Sequence, residues 1–263
     1  SERGRAFGFH RAADHAGAVV GPLLAFALLE WAGLSLRTVF ALSAIPGALA
    51  VLVLVTRVRE TRGAARVASP GAADLRAPLP RRFWAVLGVI LVFTLGNSTD
   101  AFLLLRAQEL GVPVAQLPLL WAALHVVKSA LATPAGALSD RVGRRTLLLA
   151  GWAWYAVVYA AMAFATTAWE AWALFLAYGL HFALVEGAER ALVADLVPAE
   201  RRGTAFGWFN AAVGAAAFPA SLLFGVVWSR AGAPAAFLVG AALAAAACAL
   251  GALVLPRSAS LRT

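Results

Sequence analysis

The chain has 263 residues, 62% of them apolar and only 13% charged, with a mean hydropathy of +0.81. No water-soluble domain of ordinary composition is this apolar. The net charge of +9 invites a nucleic-acid reading, but the basic residues sit in short segments between apolar runs and form no face, so nucleic acid is excluded as a partner. The single cysteine, Cys248, excludes an intramolecular disulfide. No Cys/His spacing suits a metal, and no phosphate-binding glycine loop ends in Lys-Ser/Thr. Neither a cofactor nor an enzyme activity is therefore expected.

A membrane-spanning helix needs about 20 predominantly apolar residues. Eight such runs lie near 6–29, 38–56, 83–105, 117–138, 146–166, 171–195, 204–228 and 233–255. The expected fold class is all-α, a polytopic membrane protein with eight transmembrane helices.

The first run carries Gly8, Gly17, Gly21 and Pro22 in the spacing G-x8-G-x3-G-P. Gly17 and Gly21 are four apart, hence on one face, where missing side chains let helices approach closely. Pro22 removes a backbone donor and bends the helix. The same run holds His10, Arg11, Asp14 and His15. Arg11 and Asp14 are three apart and can pair on one face.

The second run is charge-free. The stretch 57–82 then carries seven arginines among Pro and Gly turn signals. It reads as a cytoplasmic linker, dividing the chain into 1–56, 57–82 and 83–263. The third run holds Asn97 and Asp100, also three apart.

The fourth run holds His125 and Lys128, with Trp121 one turn earlier. The chain has 21 arginines and this one lysine. A buried ammonium can lose its proton and a guanidinium cannot. Lys128 thus suits a switchable charge or an anion contact; the alternative is a structural ion pair with Asp100 or a carboxylate of the sixth run.

Between the fourth and fifth runs stands Gly136-Ala-Leu-Ser-Asp140-Arg141-Val-Gly143-Arg144-Arg145. It reads as a basic turn facing the cytoplasm, because Lys and Arg accumulate on that side. Asp140 can accept from free amides at a helix N-terminus. Arg144 or Arg141 can pair with a carboxylate at the end of a neighbouring helix, where Asp195 stands. The sixth run carries His181, Glu186, Glu189 and Arg190. Glu186 and Glu189 lie about 4.5 Å apart along the axis. Two carboxylates this close in low dielectric disfavour joint ionisation, which suits proton uptake and release, unless Arg190 holds Glu186 in a structural ion pair. His125 and His181 can serve as proton relays or as cavity-lining hydrogen bonders.

The seventh run opens with a repeat. Residues 202–223 match 3–24 without gaps at 11 of 22 positions, Arg-Gly-x-Ala-Phe-Gly included. Duplicated bundles mark transporter folds. Five runs precede the second copy within its bundle and none precedes the first, so we expect a chain that starts partway through a longer protein. Summed by side, the connecting segments and ends carry +11 on one face and 0 on the other. Both ends of the chain are therefore expected in the cytoplasm.

The string G-x-L-S-D-R-x-G-R-R resembles the loop signature of the major facilitator superfamily of secondary transporters. The resemblance implies two six-helix bundles that rock about a midplane site, this chain supplying helices five to twelve. It implies that Gly136, Asp140, Arg141, Gly143, Arg144 and Arg145, with Asp195 as partner, form a cytoplasmic latch between conformations. The first-run glycines look like the antiporter motif of proton-coupled drug exporters, departing from it at Ala25 and Phe26. The charge-free second, fifth and eighth runs match the family's peripheral helices. The expected activity is proton-coupled efflux of a small organic compound across an inner membrane, with Arg11, Asp14, Asn97, Asp100, His125, Lys128, His181, Glu186, Glu189 and Arg190 lining the substrate or proton path. The expected partners are that substrate, protons and the lipid bilayer, with no obligate protein partner. A symporter importing a metabolite and a non-transporting scaffold are the alternatives, as is a fragment inactive without its upstream helices.

Overall fold

The computed structural model describes residues 17–57 and 78–256. Helices run Gly17–Glu30 (α1), Leu36–Arg57 (α2), Arg81–Gly96 (α3), Ala101–Glu109 (α4), Leu117–Val142 (α5), Arg144–Phe164 (α6) and Ala168–Asp195 (α7). A last helical stretch, Arg202–Val254, breaks at Gly232, whose φ of 84° suits glycine. It yields α8 (202–231) and α9 (233–254). A continuous helix of 53 residues would be about 80 Å long, far beyond a bilayer core of about 30 Å. Instead the chain folds back, and the Phe224 and Phe237 rings meet at 5.1 Å. No strand occurs among the described residues.

Six helical stretches are long and apolar enough to cross a membrane, with α1 as a shorter apolar helix. The buried core draws all its members from residues 79–255. Within it α5 packs chiefly on α7, α7 on α6, and both α6 and α3 on the α8–α9 hairpin. No residue of α1 or α2 is buried. The α7 start is well specified: Glu170 accepts from the Thr166 and Thr167 amides at 2.8 and 2.9 Å, and Thr167 caps the Glu170 amide.

Close approach of helices uses small residues, since lipid-like surroundings offer no hydrophobic drive between helices. A methyl on Gly240 would lie 2.9 Å from the Gly96 carbonyl oxygen and 2.9 Å from the Tyr159 ring. Gly151 lies against Val185 and Leu184, and Gly179 against Val127. Gly17 and Gly21, expected to make such contacts, have open space where a Cβ would stand. The close helix approach expected of that face is not made by the described residues.

Two expectations need correction. The third run is not one helix: α3 ends at Gly96, and Asn97–Asp100 separate it from α4. Gly-Asn-Ser-Thr-Asp is a run of residues whose short polar side chains compete with the helix for backbone partners. The Asn97 amide bonds back to Phe93 and Thr94, and the Thr99 hydroxyl accepts from the Ala101 amide at 3.4 Å. The basic turn is also shorter than expected. Helix α5 continues through Pro134 to Val142, and only Gly143, at φ 89° and ψ 145°, is non-helical before α6 begins. Among the charge-free runs, α6 buries Trp152, Tyr155 and Tyr159 on one face while Val157 and Phe164 stay exposed on another.

Candidate functional site

At the α5–α6 junction the left-handed geometry of Gly143 turns the chain so that Arg144 leads α6 toward the end of α7. There the Arg144 guanidinium pairs with the Asp195 carboxylate and donates to the Ala191 carbonyl at 3.1 Å. Arg145 donates to the Ala252 carbonyl near the end of α9, and Arg202 to Ala194 at 3.3 Å. Carbonyls in the last turn of a helix carry the negative end of its dipole, so cations settle there. The arginines thereby tie α6, α7, α8 and α9 together at one end of the bundle. Arg141 is exposed in the last turn of α5. Asp140 lies in that same turn, not at the cap of α6, a place Gly143 takes; its carboxylate lies outside the described atoms. Gly136 is on α5, one turn before Asp140.

Above this junction a cavity of about 340 Å³ opens between α5, α6 and α7. Lys128, Phe182 and Glu186 stand in its wall with Ser139 and Arg144. Small residues such as Ala132, Gly136 and Gly187 leave the space. The Lys128 ammonium sits 3.6 Å from the centre of the Phe182 ring, in the geometry of a cation–π contact. Among the described residues the ion pairs are Arg106–Glu109 and Arg144–Asp195. Lys128 thus forms no salt bridge with Asp100, Glu186 or Glu189 there, and Glu186 forms none with Arg190. Asp100 and His181 are still near enough to interact electrostatically with Lys128. Glu189 is half-buried and Arg190 exposed. His125 stands over Trp121, ring centres 5.4 Å apart.

Behind the cavity lies a polar centre that only partly matches the expectation. Asn97 and Asp100 flank the α3–α4 break, where Asn97 ends one helix and Asp100 precedes the next. Non-helical backbone at membrane depth is tolerated only when protein or a cavity covers it. Tyrosines provide that cover: the Tyr155 hydroxyl donates to the Gly96 carbonyl at 2.9 Å, and the Tyr178 hydroxyl to Asp100 Oδ1 at 2.7 Å. Tyr159 stacks on Tyr155 with centres 4.0 Å apart. His181 is buried against Tyr178 and Phe93, with Nδ1 3.0 Å from the Gly151 carbonyl. It is wedged in the core and does not line the cavity. The chain has three tyrosines and all three meet here. Their rarity, like that of the lone lysine, was the available signal. Gly8, Arg11 and Asp14 lie outside the described residues; Gly17, Gly21 and Pro22 lie on α1.

A sequence profile of the Major Facilitator Superfamily matches residues 1–124 and 85–263. The chain belongs to that superfamily. Its members are transporters, and this one is a multi-pass α-helical membrane protein of that fold. It is 30% identical over 231 residues to an uncharacterized MFS-type transporter of Methanocaldococcus jannaschii, a match covering 86% of this chain and 58% of that protein. It is 29% identical over 230 residues to an uncharacterized protein of Mycobacterium bovis, covering 85% of this chain and 56% of the relative. A third relative is the multidrug resistance protein MdtG of Erwinia billingiae, 34% identical over 133 residues, or 49% of this chain and 32% of MdtG. The chain spans little more than half the length of the first two relatives.

Proposed function

We propose that this superfamily member is part of a proton-coupled exporter of small organic compounds, working by alternating access in a bacterial-type inner membrane. Residues 83–263 form one bundle, 1–56 belong to the other, and 57–82 link them on the cytoplasmic side. The observation that carries this reading is the cavity between α5 and α7, which holds Lys128 and Glu186 and is bounded at one end by the Arg144–Asp195 tie. A charge inside a membrane helix is costly and almost always faces a transport path or a partner. A tie between helix ends with two discrete arrangements is what a rocking mechanism needs. Efflux is favoured over import by the first-run glycine motif and by the name of the MdtG relative.

Inside-out membrane vesicles test this. Respiration acidifies their lumen, and a compound exchanged for protons dissipates part of that gradient. Vesicles carrying the full-length protein are expected to release luminal protons on addition of substrate, read by a pH-sensitive dye, while Asp195→Asn vesicles are not. Accumulation by right-side-out vesicles instead would establish import, and dependence on a sodium gradient would remove the proton.

A further inference from the structure

The cavity contains two charges of opposite sign that do not neutralise each other. Phe182 and Glu186 are four residues apart on α7 and share one face, about 6 Å apart along the axis. The Lys128 ammonium rests on Phe182, 3.6 Å from the ring centre. Phe182 and Glu186 are thus offset by about one helical turn along α7, and Lys128 and Glu186 form no salt bridge. The third charge in the wall, Arg144, is already held by Asp195. The rest of the wall is largely Ala and Gly, so the 340 Å³ are lined by short side chains that offer few other polar anchors.

Glu186 is exposed to the cavity and Lys128 half-buried, and neither has an ion-pair partner among the described residues, so a ligand can supply the counter-charge to each. A ligand carrying only an anion would meet Lys128 and leave Glu186 without a counter-charge, and a lone cation would do the reverse. One molecule carrying both satisfies both. We propose that the transported compound is a zwitterion, with its carboxylate on Lys128, its ammonium on Glu186 and a small apolar body among the alanines. This inference rests on the reading of the cavity as the substrate site of a transporter.

The test uses purified full-length protein and two matched triplets: phenylalanine, phenethylamine and 3-phenylpropionate; leucine, isoamylamine and 4-methylpentanoate. Binding is read from the thermal midpoint by tryptophan fluorescence across a concentration series. At least one amino acid is expected to bind about tenfold or more tighter than both its single-charge analogues. Lys128→Ala should erase its advantage over the amine, and Glu186→Gln its advantage over the acid. The double exchange Lys128→Glu with Glu186→Lys should recover zwitterion preference that either single exchange loses, which a merely structural role would not produce. Equal binding within both triplets, no binding by either amino acid, or full preference in the single variants would overturn the proposal. Gradient-driven flux in proteoliposomes separates the two levels: flux of a single-charge analogue with no zwitterion preference retires this inference and keeps the transporter, while loss of gradient-driven flux for every compound that binds retires the transporter reading itself.

Discussion

Arg144 and Asp195 are each about one-third exposed, at 35% and 29% of their side chains. At that exposure solvent screens the attraction, and such pairs contribute about 0–1 kcal/mol to stability. The conformational role proposed for the pair can therefore be separated from a structural one. Asp195→Asn keeps the shape, leaves Arg144 its bond to Ala191, and removes only the charge. We expect it to lower transport by the full-length protein about tenfold or more, with a thermal midpoint close to that of the parent. A loss of transport matched by a loss of folded protein would make the pair structural. Tyr178→Phe makes the opposite prediction. The tyrosine is fully buried and its hydroxyl serves the Asp100 carboxylate beside a helix break. Stranding that carboxylate costs about 1–3 kcal/mol, so the variant is expected to melt earlier in detergent. An unchanged midpoint would show that the bond does not hold the break closed.

Two glycine sets make contrasting predictions at the level of helices. A Cβ on Gly240 would collide with the Gly96 carbonyl and the Tyr159 ring, whereas one on Gly17 or Gly21 would meet nothing among the described residues. Overpacking a tight contact costs about 1–3 kcal/mol for added methylenes. Gly240→Leu is thus expected to destabilise the bundle built on the 79–255 core, measured as a drop in thermal midpoint, by clearly more than Gly17→Leu. Equal effects would place a partner against α1 that the described residues do not supply. Which glycine is crowded depends on the neighbour across the interface, and spacing along one helix carries no information on that neighbour. The helices themselves were legible, since apolar length is local. The α3–α4 break was written in Gly96–Asp100, but averaging hydropathy over a whole run hides five polar-leaning residues. The Arg144–Asp195 meeting could be anticipated because both stand at helix ends, where opposite charges gather. The tyrosine centre could not be found by searching for charge, because a hydroxyl that bonds a carbonyl bears none.

For the molecule as a whole, the segregation of +11 and 0 between the two sets of connecting segments is the strongest statement of orientation. A single arginine in a short loop biases insertion weakly, and many on one side bias it together. The Gly143 junction and the turn between α4 and α5 lie on opposite ends of α5, a helix of 26 residues, long enough at about 39 Å to separate them by a bilayer. Each can carry a reporter. Cys248 is first replaced by alanine; it is only partly buried and makes one weak contact to the Leu149 carbonyl at 3.5 Å, so little is lost. Arg141→Cys and Val114→Cys then place single thiols at exposed positions on the two sides. A membrane-impermeant maleimide applied to intact cells is expected to label position 114 directly and position 141 only after permeabilisation. The reverse pattern would turn the whole bundle over, moving the Arg144–Asp195 tie and the +11 to the outside. That result would break the assignment of this junction as a cytoplasmic latch, whatever the transport assays return.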